Sequence, residues 1–239
     1  MNIKTYIRRI TFLLLPILLL ISCTEDRPIT EVAQTGKVTF KNLSSYKINI
    51  RLGSFSGIIL VEHLNTGSEI PVDVRVSDSH ATVFSIEYLF KINDFLKLFD
   101  PVYGDIFAII EDLEMQPDLV IEEGRSYIMK VPNPNPETSI VRSSHITIIN
   151  KHNQPVEFRN LSGALRQTNN NIPIQPYMTG VYKIENIPNA GMLLQGHYIQ
   201  QVSGTVSFPN IQVKNGFIYR YGFNGTEVQQ EYPPFSILF

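Results

Sequence analysis

Hydrophobic and polar positions divide this chain into two unlike parts. Near the N terminus an apolar run extends from Ile10 to Ile21, interrupted only by Thr11 and Pro16. It has about the length of a signal h-region and falls short of the roughly 20 apolar residues of a spanning helix. A polar stretch follows to Gly36, and beyond it the pattern alternates with period two. Val38 and Phe40 alternate with polar neighbours, as do Ile48, Ile50 and Leu52, and the segment from Pro71 to Val76. That period predicts half-buried strands. Polar turns at Leu43–Tyr46 and Lys151–Gln154 each separate two such segments and predict hairpins. Asn215-Gly216, between Ile211/Val213 and Phe217/Tyr219, predicts another with a type I′ turn, and Glu123-Gly124 holds a similar place. One stretch departs from alternation. Ile106, Ile109, Ile110 and Leu113 have helical spacing behind Asp105 as an N-cap, and Phe95, Leu96, Leu98 and Phe99 precede them. A short helix is expected there, packed as extra core or bordering a ligand groove.

The alternating part repeats itself. Val38-Thr39-Phe40, Asn42, Ile48, Ile50 and Arg51 correspond to Ile146-Thr147-Ile148, Asn150, Val156, Phe158 and Arg159, 108 positions on. Pro117, Leu119, Ile121, Gly124, Tyr127 and Val131 correspond to Pro209, Ile211, Val213, Gly216, Tyr219 and Phe223, 92 positions on. The difference between the offsets puts an insertion in the first copy between about Phe90 and Gln116. The expected fold is mainly all-β, two tandem β-sandwich modules of immunoglobulin-like class with a short helical insertion in the first. The expected organisation is a signal at 1–22, a tether at 23–36, a first module at 37–131, a proline-rich linker at 132–144 and a second module at 145–239. Fourteen Phe and 11 Tyr are enough to fill two small cores that have no disulfide to hold them.

Charge sharpens the N-terminal pattern. Lys4, Arg8 and Arg9 precede the apolar run with no carboxylate before Glu25, and the run ends in Leu20-Ile21-Ser22-Cys23. This resembles the lipobox of bacterial lipoproteins: Leu20, Ile21 and Ser22 form the signal-peptidase recognition segment, and Cys23 is the lipidated residue. The resemblance implies a thioether-linked diacylglycerol on Cys23, cleavage before it, and usually a further acyl chain such as palmitate on its amine. Two or three acyl chains satisfy the two-signal requirement for stable anchoring. Cys23 is the only cysteine of the chain, so it has no intramolecular disulfide partner. Where sorting depends on an Asp after the lipidated cysteine, Thr24 favours the outer membrane or cell surface over the inner membrane.

Removing residues 1–22 takes away three cations and moves the formal charge from −2 to −5. An acidic chain without basic clusters is a poor nucleic-acid binder. Gly53-Ser54-Phe55-Ser56-Gly57 resembles a nucleophile elbow, but Phe55 stands where the serine belongs, so it is expected to be a turn between strands. His63, His80, His145, His152 and His197 form no close ligand pair, and His145 and His152 are expected at exposed strand ends. Asp73, Asp78, Asp100, Asp105, Glu111, Asp112 and Glu114 are spaced as on solvated faces. No metal, cofactor or catalytic residue is therefore expected. Tyr177, Tyr182 and Tyr198 lie near turns where exposed rings could stack on sugars, and the absence of Trp argues against a sugar module. Tyr88-Leu89-Phe90 and the paired Gly-x-x-Tyr segments, Gly124–Tyr127 and Gly216–Tyr219, resemble duplicated β-rich lipoproteins of host-associated bacteria. The expected function is that of a non-enzymatic, lipid-anchored envelope protein acting in binding or surface interaction, with an unidentified protein or glycan ligand. The alternative is a periplasm-facing accessory subunit of an envelope complex; a glycan-binding module or an enzyme ranks lower.

Overall fold

The period-two segments form strands, but they connect differently from the expected hairpins. The computed structural model describes residues 34–76, 80–96, 105–159, 165–167, 173–185, 187–200 and 204–238. In chain order the first half contains β1 (Thr35–Asn42), β2 (Lys47–Leu52), β3 (Ile58–Leu64), β4 (Glu69–Arg75), β5 (Thr82–Lys91), helix α1 (Ile92–Leu96), β6 (Phe107–Asp112), β7 (Asp118–Leu119) and β8 (Ser126–Val131). Then come β9 (Ser139–Val141), β10 (Ser143–Asn150), β11 (Val156–Arg159), β12 (Leu165–Gln167), β13 (Thr179–Glu185), β14 (Met192–Gln200), β15 (Gly204–Val213), β16 (Phe217–Phe223) and β17 (Val228–Ser236). Four sheets result, ordered β4-β1-β8, β3-β2-β5-β6-β9 with β7 also on β5, β12-β13-β10-β16-β17, and β11-β14-β15. The protein is mainly β, with its sheets in sandwich-like layers. Thr35–Phe239 forms one compact unit.

The turn after β1 does not make a hairpin. β1 pairs with β4 and β8, whereas β2 pairs with β3 and β5. The chain therefore arches from one sheet to the other, and the alternating residues of both strands enter one core: Val38, Phe40, Ile48 and Ile50 are all fully buried. The same correction applies to β10 and β11, to β7 and β8, and to β15 and β16, none of which pair with each other. Gly216 still has the positive φ that its turn requires, +78°, and Gly124 has +68°. These glycines turn the chain between sheets.

Structural detail follows the repeat closely. β1 runs parallel to β8 with Val38 opposite Tyr127, and β10 runs parallel to β16 with Ile146 opposite Tyr219. β1 is antiparallel to β4, and β10 to β13. The fully buried Asn42 donates from Nδ2 to the carbonyls of Tyr46 (2.8 Å) and Leu64 (2.9 Å), and its Oδ1 accepts from the Ser44 N–H at 2.9 Å. Asn150 donates to Gln154 O (2.8 Å) and Ile174 O (2.9 Å) and accepts from the His152 N–H at 3.0 Å. Each asparagine thus ties its arch together, adding to the bond that the Ile174 carbonyl also accepts from Val156 N–H at 3.0 Å. The Tyr127 hydroxyl accepts from Glu122 N–H and the Tyr219 hydroxyl from Lys214 N–H, both at 3.0 Å. Tyr177, at φ 64°, holds the place of Gly67, at φ 75°: each donates its N–H to the carbonyl of its arch asparagine.

Two clusters of buried side chains fill the unit. One joins residues of β1, β2, β5, β6 and β8 with Val141, Val181, Ile218 and Ile237. The other joins Ile146, Ile148, Tyr182, Ile184, Tyr219 and Phe223. The sheet containing β10 therefore contributes side chains to both clusters, and β10 is buried on both faces. This corrects the placement of His145. It stands where Lys37 stands in β1, but Lys37 is exposed and His145 is fully buried.

Candidate functional site

Leu20, Ile21, Ser22 and Cys23 lie outside the described residues. Among the described residues, no helix is long and apolar enough to cross a membrane. No group of three or more His, Cys, Asp or Glu is placed to hold a metal among them either.

The insertion in the first half is built differently from its expectation. Residues 107–112 form strand β6, antiparallel to β5 with Ile110 opposite Tyr88. The helix expected at 105–114 is absent, and the only helical turn of the insertion's described residues is α1. Ile106 and Ile110 are buried as they would be on a helix, but the intervening contacts follow a two-residue period, with Ala108 buried between them. Leu113 lies past the strand end and is 44% exposed. Asn93 on α1 holds the entrance of β6, its Oδ1 accepting from the Ile106 N–H at 2.6 Å.

Two concavities border this region. The first, about 620 Å³, lies among Tyr46, Lys47, Asn65, Phe90, Lys91, Asp94 and Phe107. Lys47 Nζ stands 5.7 Å from the Phe107 ring centre, and the His63 ring, at φ 56°, contacts the same ring. Lys91 bridges Asp105 at 2.9 Å and Asp94 at 3.4 Å. The hydrogen bond to Asp105 raises the Lys91 pKa and lowers that of the carboxyl. The second, about 420 Å³, has apolar walls from Tyr46, Ile110, Pro134, Pro136, Ile237 and Leu238. Beside it, the stretch Asn133–Thr138 is held by Asp112, which accepts from Asn135 N–H (2.8 Å) and Thr138 Oγ1 (2.6 Å). The Tyr88 hydroxyl and Ser139 Oγ are buried without a hydrogen-bond partner. Burial, then the Asp112 charge, pushes the Tyr88 phenol far above its ordinary range.

Two of the candidate acids, Glu111 and Asp112, are engaged in holding the fold. Glu111 accepts from Arg142 Nε at 2.8 Å, and Asp112 fixes the 133–138 stretch. The buried Glu87, which sequence patterning did not single out, accepts from Arg51 Nε (2.6 Å) and Asn49 Nδ2 (3.0 Å). Asp78 and Asp100 lie outside the described residues, and Asp73 is exposed on β4. Gly53–Gly57 forms the connection between β2 and β3, with Gly53 at φ 82°. Of the three candidate tyrosine platforms, Tyr182 is buried, Tyr177 is 73% exposed, and the side chain of Tyr198 is outside the described set. The arrangement presents apolar and aromatic surfaces, and its buried carboxylates are ion-paired, as Glu87 and Glu111 are, or hydrogen-bonded, as Asp112 is.

No protein-family model and no curated protein matches the chain. Among solved structures it is similar to a candidate cell adhesion protein from Bacteroides uniformis, at 11% identity and a TM-score of 0.40, over 87% of this chain and 99% of that one. A candidate cell adhesion protein from Bacteroides ovatus matches at 9% identity and 0.36, over 85% and 98%. The tip fimbrial protein Mfa3 from Porphyromonas gingivalis, in a C-terminally truncated form, matches at 7% identity and 0.35, over 84% and 99%.

Proposed function

We propose that this chain is a lipid-anchored protein of the bacterial cell envelope that acts by binding, without catalysis, on the outer membrane or cell surface. The observation that carries this reading is the ordered N-terminal segment: Lys4, Arg8 and Arg9, the apolar run from Ile10, and Leu20-Ile21-Ser22 before the single cysteine. Cys23 would carry the lipid, and residues from Thr24 would link it to strands that begin at Thr35. A ligand would be protein or glycan, met by apolar and aromatic surfaces such as those around Phe107 and Ile110. Buried carboxylates paired with Arg51 and Arg142 suit a scaffold better than acid–base chemistry, which needs a free group within reach of a substrate.

Protease treatment of intact cells, followed by immunoblotting of membrane fractions, tests the placement. Loss of the protein from otherwise intact cells is the expected result. Full protection until the outer membrane is opened would replace the surface role with that of a periplasm-facing accessory subunit. Recovery in the soluble fraction would remove the anchored reading altogether.

A further inference from the structure

The duplication exposes an asymmetry between its two copies. In the second copy, β16 is flanked by β10 on one side and β17 on the other. Its counterpart β8 pairs with β1 and, among the described residues, with no strand on its far side. Among the described edge strands, the six-residue β8, Ser-Tyr-Ile-Met-Lys-Val, is the one longer than four residues that has neither a proline nor a bulge, and Lys130 is its single charged side chain. β4 contains Pro71, β15 contains Pro209, and β17 contains Pro233 and Pro234. β3 is bulged against β2, and β7, β9, β11 and β12 are four residues or shorter. Prolines, bulges and short length are the usual devices that stop an edge from recruiting another strand.

The hydrogen-bonding phase of this edge can be read from its ends. The carbonyls of Arg125 and Val131 accept from Lys37 N–H and Leu43 N–H, so odd-numbered residues of β8 turn their peptide groups toward β1. Ser126, Ile128 and Lys130 therefore direct theirs toward the open side. The same three side chains lie on the exposed face, where Ile128 is 73% accessible.

We propose that β8 pairs antiparallel with β8 of a second copy of this chain, centred on Ile128, joining two three-stranded sheets into one of six strands. This register lets all three outward residues pair, giving up to about six hydrogen bonds. Ile128 then faces Ile128 of the other copy, and each Lys130 faces Ser126. A shift that centred the pair on Lys130 would oppose two cations and lose most of the overlap. This register therefore pairs every outward residue and keeps the two Lys130 cations apart. The two Thr35 positions in such a dimer lie about 30 Å apart, from four residues of strand rise in each copy and three strand spacings between them. The residues from Thr24 to Gln34 span up to about 36 Å when extended, so both copies can be anchored in one membrane.

Oxidative cross-linking of the full-length protein in its native membranes tests the pairing and its register. Opposed residues at Ile128 lie within disulfide reach, whereas the two Ser126 positions are separated by about 13 Å. Over the wild-type background, Ile128→Cys should form a disulfide-linked homodimer at least about tenfold faster than Ser126→Cys. Equal rates, no dimer, or a cross-linked product containing a different protein would each overturn the proposal. In detergent solution the wild type should sediment as a dimer, and Ile128→Lys as a folded monomer that unfolds cooperatively at a melting temperature below that of the wild-type dimer. A monomeric wild type would also overturn it, and that outcome is independent of whether Cys23 carries lipid.

Discussion

Replacing Asn42 or Asn150 with alanine separates the role of the arches from that of ordinary core packing. Asn42→Ala removes donors from the Tyr46 and Leu64 carbonyls and the acceptor of the Ser44 N–H. The Tyr46 carbonyl keeps a second donor, Ser44 Oγ at 3.0 Å, and Leu64 faces Ile48 in the β2–β3 ladder, so the Ser44 N–H is the group left without a partner. At about 1–3 kcal/mol for each buried orphan, the cost is about 1–3 kcal/mol at Asn42 and about 2–6 kcal/mol where two groups are orphaned. In the second copy His152 takes the place of Ser44, and Asn150→Ala orphans the Gln154 carbonyl and the His152 N–H, while the Ile174 carbonyl keeps the Val156 N–H at 3.0 Å. Its cost should equal or exceed that at Asn42. Urea unfolding of the mature chain carrying Cys23→Ser would measure both. In a chain of this size each kcal/mol lowers Tm by about 2–4 °C, so shifts of roughly 2 to 24 °C are expected across the two sites. A loss below about 1 kcal/mol at both sites, as for an exposed asparagine, would refute the argument.

Other substitutions probe the remaining elements. Ile110→Ala, at a site 1% exposed between β5 and β9, should cost about 2–5 kcal/mol by chemical denaturation, and Leu113→Ala less than about 0.5. A helix at 105–114 would instead make the two comparable. Tyr177→Gly should raise Tm slightly by relieving a positive φ at an exposed residue, and Gly67→Tyr should lower it; a fall at Tyr177→Gly or no loss at Gly67→Tyr would show that the two turns differ. His145, with both ring nitrogens unpartnered, has its pKa lowered to about 4, first by burial and then by Lys183, with Glu185 opposing. Because the folded pKa lies below the unfolded value near 6.5, its contribution is complete above that value and is lost as pH falls through about 4. Up to about 3 kcal/mol is at stake. His145→Gln should flatten the stability profile in that window, and an unchanged profile would place the acid sensitivity elsewhere.

The strands themselves were legible because burial on one face leaves a two-residue period, as at Val38/Phe40 and Ile48/Ile50. The repeat showed in the same residues, and its registers follow from its offsets. Alternation reports which face a residue occupies and says nothing about which sheet its strand joins, so it does not distinguish an arch from a hairpin. In the insertion, Ile106 and Ile110 are four apart, a spacing shared by a helix face and a strand face, and Ile109 with Leu113 tipped the pattern toward a helix. His145 was misplaced because its burial comes from side chains far away in sequence. Glu87 carried no motif, and only its pairing with Arg51 across β2 and β5 shows its part. The proposed anchoring signal is different in kind: export and lipidation act on a linear segment, so that reading rests on the residues around Cys23 alone.

Metabolic labelling with a radioactive or clickable fatty acid, followed by mass spectrometry of the N-terminal peptide, tests the account most directly. The wild type should be labelled, begin at Cys23 and carry at least two acyl chains. Cys23→Ser should lose the label and accumulate as a precursor that retains residues 1–22 or as a soluble form. Undiminished label and membrane retention in Cys23→Ser would contradict the account at its centre.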